Sequence, residues 1–234
     1  MKRFWKTATV APSGDGYSIL LDGKPMHLPG GPVLCVQSEP LAQAIAAEWQ
    51  AAGSDKDGEM SFADTPLTRL AGTAQQRVAP DPDPTVDAIA RYGESDLLCY
   101  RAEAPDQLVK RQAAAWQPWL DWAARTYDAP LRVSSGITYV KQHRDSIAAL
   151  RRAVAALDVP ALAALGIAVP ALGSLVLGLA LAEGKLDAAT AYSLGALDEL
   201  FQAELWGEDA EAAARRQSIA DDIALAERLL RLTR

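Results

Sequence analysis

The side chains best suited to chemistry are few: His27 and His143, Cys35 and Cys99, and two groups of carboxylates. A histidine would act as the general base of a nucleophilic triad. The chain, however, has no Gly-x-Ser-x-Gly elbow, and both cysteines stand inside apolar runs, Val33-Leu34-Cys35-Val36 and Leu97-Leu98-Cys99-Tyr100. Neither run is a reactive context, so both histidines read as structural and both thiols as buried and free in a reducing compartment. Paired Cys or His spacings for a metal are absent, and so are the glycine patterns of dinucleotide and P-loop sites. Gly30-Gly31, between Pro29 and Pro32, is a turn rather than a phosphate cradle. The sequence predicts no cofactor and no metal.

Carboxylates are the remaining enzymatic option. Glu208, Asp209 and Glu211 follow Trp206-Gly207, and Asp221-Asp222 lie further on. Two such groups divide acid and base work when burial separates their pKa values, which would make the chain a small hydrolase or lyase with a helical cleft. The same residues also suit the first turn of a helix, whose partial positive charge favours acidic side chains.

Trp116, Trp119 and Trp122 recur at intervals of three around Pro118. Neighbours at that spacing share a helical face, and tryptophan is both a core residue and a frequent anchor of protein interfaces. Pro118 would kink or break a helix there.

The elements that must position these residues change character along the chain. Thr7–Val10, Tyr17–Leu21 and Val33–Val36 are β-prone runs separated by the turn residues Ser13–Gly16 and Asp22–Lys24. Ser38 is a candidate N-cap for a helix carrying Leu41, Ile45, Ala46 and Trp49 on one face. Residues 54–66 are irregular and 67–78 helical. An extended 79–84 precedes a helix from Thr85 to Tyr92, and Asp96–Arg101 reads as a buried strand. Beyond residue 102 the pattern is helical: 106–127, 145–157, a split apolar segment, 187–206 and 208–230, with a short extended piece at 131–140. The reading is therefore α+β, with a strand-and-helix domain over 1–102 and a helical domain over 103–234.

A formal net charge of -7 repels phosphates and anionic lipid, which excludes nucleic acid and membrane surfaces as general partners. The densest basic group, Arg144, Arg151 and Arg152, falls on mixed helical faces and reads as solvated surface. Val159–Ala182 carries no charge and is long enough to span a bilayer, but prolines, glycines and abundant alanine favour two short helices meeting at Pro170, buried in a soluble domain. A docking surface for a membrane complex is the other use of that segment. Met1–Lys6 cannot form a signal-peptide core, which predicts a bacterial cytoplasmic protein, or a mitochondrial matrix one if a eukaryotic leader has been removed.

One set of motifs has a family likeness. Lys2-Arg3-Phe4-Trp5-Lys6, Leu21-Asp22-Gly23-Lys24-Pro25, Ala46-Ala47-Glu48-Trp49 and Pro66–Ala71 come first. Asp96–Arg101, Gln112 with Trp116 and Pro118–Trp122, Ser174–Leu177 and Glu204-Leu205-Trp206-Gly207 follow in the same order. The series resembles the F₁-ATPase assembly chaperones of the Atp-twelve type, which act on the α subunit. Thr65, Gln76, Gln117 and Leu28 depart from the family pattern. The resemblance implies a β-rich N-terminal domain and an all-α orthogonal bundle, and a non-enzymatic, monomeric protein that shields the free α subunit until a β subunit replaces it. It also raises the acidic stretch to a candidate partner surface: Glu204, Trp206, Glu208 and Glu211, with Trp119 and Trp122 as contributors.

Overall fold

In a computed structural model of the chain, residues 2–54, 58–136, 138–207 and 209–234 are described. They form an α+β fold of ten α-helices, a four-stranded sheet and a two-stranded one. By mutual contact the chain divides into two compact units: Met1–Pro82 with Val159–Ala164 and Arg228–Arg234, and Asp83–Asp158 with Leu165–Glu227.

In the first unit, β1 (Ala8–Ser13) and β2 (Gly16–Leu21) form an antiparallel hairpin, extended by β3 (Lys24–Pro25) and β4 (Cys35–Val36), both paired with β2. The chain leaves β2 through Asp22 and Gly23, at φ 49° and 80°. Asp22 pins this turn, its carboxylate accepting the backbone N–H of Lys6 (3.0 Å) and Thr7 (2.9 Å), which holds its pKa below the usual range. Helix α1 (Glu39–Ala51) starts at Ser38, whose hydroxyl accepts the Leu41 N–H, and buries Leu41, Ile45, Ala46 and Trp49.

Helix α2 (Pro66–Thr73) has no cap of its own. The Glu48 carboxylate of α1 does that work, accepting the N–H groups of Leu67 (2.9 Å) and Thr68 (3.2 Å). Burial nevertheless raises the Glu48 pKa against these bonds and the nearby Arg228. A π-helical turn, Ala74–Val78, continues α2. There Gln75 donates to the Val33 carbonyl and accepts the Cys35 N–H at 2.9 Å each. Side-chain bonding of this kind holds only two residues of the predicted 33–36 strand as strand proper. Cys35 is half-buried rather than buried, while Cys99 is buried and its thiol is pushed up to about 12 by burial.

The second unit comprises α3 (Asp83–Ala90), β5 (Tyr100–Arg101), α4 (Asp106–Tyr127), β6 (Ser134–Ser135) and α5 (Arg144–Ala155). Of α6 (Val159–Leu172) it takes the part from Leu165, then α7 (Leu175–Ala182), α8 (Ala188–Gly195), α9 (Leu197–Trp206) and α10 (Ala210–Thr233) up to Glu227. Residues 83–102 belong to this unit because α3 packs Val86, Ile89 and Ala90 toward α5, which differs from a boundary at 102.

Several expectations are corrected. Helix α3 begins at Asp83, with Pro84 in its first turn, and not at Thr85 after an extended 79–84. The 187–206 stretch is two helices divided at Ala196. Pro118 interrupts nothing, since α4 runs through it unbroken. The apolar segment splits at Gly173, at φ 63°, with Ser174 capping α7, whereas Pro170 lies inside α6. No helix among the described residues is long and apolar enough to cross a membrane. Leu175–Leu181 is buried on all sides, and Gly178 lets α7 approach α6 so closely that a Cβ there would stand 2.4 Å from Val169.

Asp96–Arg101 is not a strand but a 3₁₀ turn, Leu97–Cys99, followed by the two residues of β5. Asp96 is the reason. Fully buried, its carboxylate accepts the N–H groups of Leu98 and Val176, both at 3.0 Å, and so caps this turn and the start of α7 together. Burial outweighs these bonds and pushes its pKa up to about 6. The folded chain thus holds a proton that the unfolded chain releases from pH 3.8 upward. Stability from this group is complete below that pH and is lost as pH rises through about 6. A two-unit shift corresponds to at most about 3 kcal/mol. Urea unfolding at pH 5 and pH 7 is expected to show the wild type losing more stability with rising pH than Asp96→Asn. Parallel pH dependences would contradict the assignment.

Candidate partner-binding surface

The predicted tryptophan face divides in two. Trp116 is fully buried, donates its indole N–H to the Leu194 carbonyl (2.9 Å) and lies under the Arg101 guanidinium at 5.3 Å. Trp119 and Trp122 are half-buried and pack edge to face at 6.1 Å, with Tyr127 against Trp122 at 5.3 Å. Tyr127 donates its hydroxyl to Glu183.

A polar chain fixes α9 against α4. Gln112, 1% exposed, accepts the Ala102 N–H and donates to Asp198, both at 2.7 Å, while Arg101 donates to the Gln112 carbonyl at 2.8 Å. Immediately before that glutamine in the chain, Arg111 lies over the Phe201 ring at 5.1 Å and donates to both Glu204 oxygens at 2.8 and 2.9 Å. The hydrogen bond raises the Arg111 pKa and lowers that of Glu204. Because Arg111 meets Glu204, Gln112 meets Asp198 and Trp116 meets Leu194, the chain from 194 to 206 runs antiparallel to α4.

That geometry gathers some of the candidate residues and separates others. Glu204, Leu205 and Trp206 close α9 together in solvent, with Leu205 53% and Trp206 78% exposed. Glu211, in the first turn of α10, is exposed. Glu208 lies outside the described residues. Trp119 and Trp122 sit toward the other end of α4, Trp119 being eight residues past Arg111, or about 12 Å of helix.

The carboxylates proposed for acid–base work have other occupations. Asp209 caps α10, accepting the Ala212 N–H at 3.0 Å, and Asp221 accepts from Gln217 at 2.8 Å in solvent. Both histidines are exposed: His27 Nδ1 is 3.4 Å from the Gly31 carbonyl, and His143 stands 3.8 Å from Asp145. Among the described residues no three His, Cys, Asp or Glu side chains could hold a metal ion.

Sequence reasoning missed Arg111 and Leu205. The arginine has no local signal, since its partner is 93 residues away. Leu205 was within the family motif, but only the structure shows that it stands 53% exposed.

Comparison with known proteins agrees with this architecture. The family profile described as ATP12 chaperone protein matches residues 2–124. Protein atp12, mitochondrial, of Schizosaccharomyces pombe is 27% identical over 224 residues, covering 89% of this chain and 75% of its own length. The crystal structure of Atp12 from Paracoccus denitrificans superposes with a TM-score of 0.93 at 42% identity, covering 100% of this chain and 98% of that one. The Atu1473 protein of Agrobacterium tumefaciens follows at 0.92 and 38%, covering 100% and 86%. The chain belongs to the ATP12 chaperone family, the ATP synthase assembly chaperones that its motifs resemble.

Proposed function

We propose that the chain binds the free α subunit of the F₁ head, through the edge from Glu204 to Glu211, until a β subunit takes its place. The supporting observation is Trp206, an exposed tryptophan beside exposed Leu205 on an acidic stretch. Subunits of an obligate ring expose apolar surface that is safe only once assembled. A chaperone for such a surface needs an apolar anchor, complementary charge and an affinity below that of the final neighbour. It needs no hydrolysis, because the β subunit competes directly. Trp119 and Trp122 extend the contact if the client covers the length of α4. The working compartment is the bacterial cytoplasm, or the mitochondrial matrix in a eukaryotic source.

The double variant E208K/E211K tests the edge. Light scattering is expected to show the α subunit aggregating as fast with this variant as without any chaperone, with helical circular dichroism and thermal midpoint unchanged. A variant that loses helical signal would show that these carboxylates are structural.

A further inference from the structure

The second unit contains a cleft of about 460 Å³ between α3 and α5, within the size range of specific binding sites. Its rim is the segment leading into α5, where Tyr139 stands 62% exposed. Four cations, Arg91, Lys141, Arg144 and Arg151, line it against two carboxylates, Asp87 and Glu94, in a chain whose net charge is -7. Arg151 is committed to Asp87 at 2.7 Å and Asp83 at 3.9 Å. Among the described residues, Arg91, Lys141 and Arg144 form no ion pair. Three exposed cations are therefore concentrated around one concavity of an acidic protein.

We propose that this cleft is a second protein-binding surface, taking an acidic extended segment of the client. The inference rests on the reading of the chain as a client-holding chaperone, but not on the Glu204–Glu211 edge. The lining favours a protein segment over a free anion. Arginine and tyrosine are among the side chains enriched in protein interfaces, and Tyr139 with Ile147 and Ala148 offers apolar contact between the charges. A free anion would gain nothing from that apolar surface, and Asp87 and Glu94 would repel it. An extended segment can set carboxylates on the cations and turn its uncharged positions toward the two acids. Such a contact is strongest at low salt, because exposed charges are screened within about 10 Å at 0.1 M.

The test titrates the full chain into a labelled random copolymer of glutamate and tyrosine, followed by fluorescence anisotropy. Wild type is expected to bind, more weakly as salt is raised, and Lys141→Glu combined with Arg144→Glu to weaken binding at least about tenfold. The thermal midpoint should not move, because neither residue has an ion-pair partner to lose. Should that variant unfold, Arg91→Glu, on the opposite wall, must weaken binding in its place. Equal binding by wild type and variant overturns the proposal. So does full displacement by inorganic phosphate at matched charge, which would mark a free-anion site. A dimer that the copolymer breaks up also overturns it, since the occupant would then be a second copy of this chain. If the copolymer fails to bind while the α subunit is captured, only this inference falls. If the copolymer binds while the α subunit is not captured, the client assignment falls instead.

Discussion

Trp206→Ala is expected to weaken α-subunit binding by about 30- to 1,000-fold, corresponding to the roughly 2–4 kcal/mol typical of a tryptophan hot spot. The argument rests on what the side chain lacks in the free protein. At 78% exposure it has little internal packing to lose, so truncation should alter folding stability by no more than about 0.5 kcal/mol. Nearly all its apolar surface remains to be buried by a partner. Leu205 beside it extends the patch, and Glu204, held by Arg111, fixes the last turn of α9 from which both project. Calorimetric titration of the α subunit with wild type and variant checks the first figure, and chemical denaturation the second. Unchanged affinity would remove Trp206 from the interface. A large stability loss would make it a core residue of the assembled protein.

Trp116→Ala should act in the opposite way, destabilising the fold by about 3–5 kcal/mol, the usual cost of deleting a large buried aromatic side chain. Trp116 is fully buried, its indole N–H satisfies the Leu194 carbonyl, and its ring covers the guanidinium of Arg101. Truncation leaves a cavity, an unpaired carbonyl and a buried cation with one face bare. Trp116→Phe keeps most of the ring while losing the N–H, so its cost should be well under half as large. Urea unfolding of both variants measures this. A loss below about 1 kcal/mol for the alanine variant would contradict the packing described here.

The contrast between these tryptophans shows how far the sequence could be read. Spacing of three placed Trp116, Trp119 and Trp122 on one helix, and α4 has the predicted bounds, Asp106–Tyr127. Periodicity states which residues share a face but not what stands opposite that face. The polar bonds from α8 and α9 that separate Trp116 from its neighbours connect residues about 80 positions apart. Local chemistry was legible where it acts locally. Ser38 caps α1, and Asp22-Gly23 turns the chain from β2 into β3. It misled where a distant group competes. Asp96 looked like the polar end of a strand, yet its carboxylate reaches α7 and winds Leu97–Cys99 into a turn instead. Arg144 and Arg151 looked like scattered surface charge because the residues completing their cleft, Arg91 and Asp87, lie on another helical segment.

The family motifs carried the functional reading further than residue chemistry did. The search for catalytic groups yielded caps and solvated carboxylates. Asp209 is the clearest instance, standing among the acidic candidates and occupied by the N-terminus of α10. The exposed end of α9 could be located from its motif but not understood from it, because exposure depends on the folded unit as a whole.

The most direct test of the α-subunit assignment is co-expression of the chain with the ATP synthase α subunit, followed by size-exclusion chromatography with and without β subunit. A soluble one-to-one complex is expected, and it should dissolve as β is added and α–β assemblies appear. An α subunit that aggregates equally in the presence and absence of the chain would contradict the account.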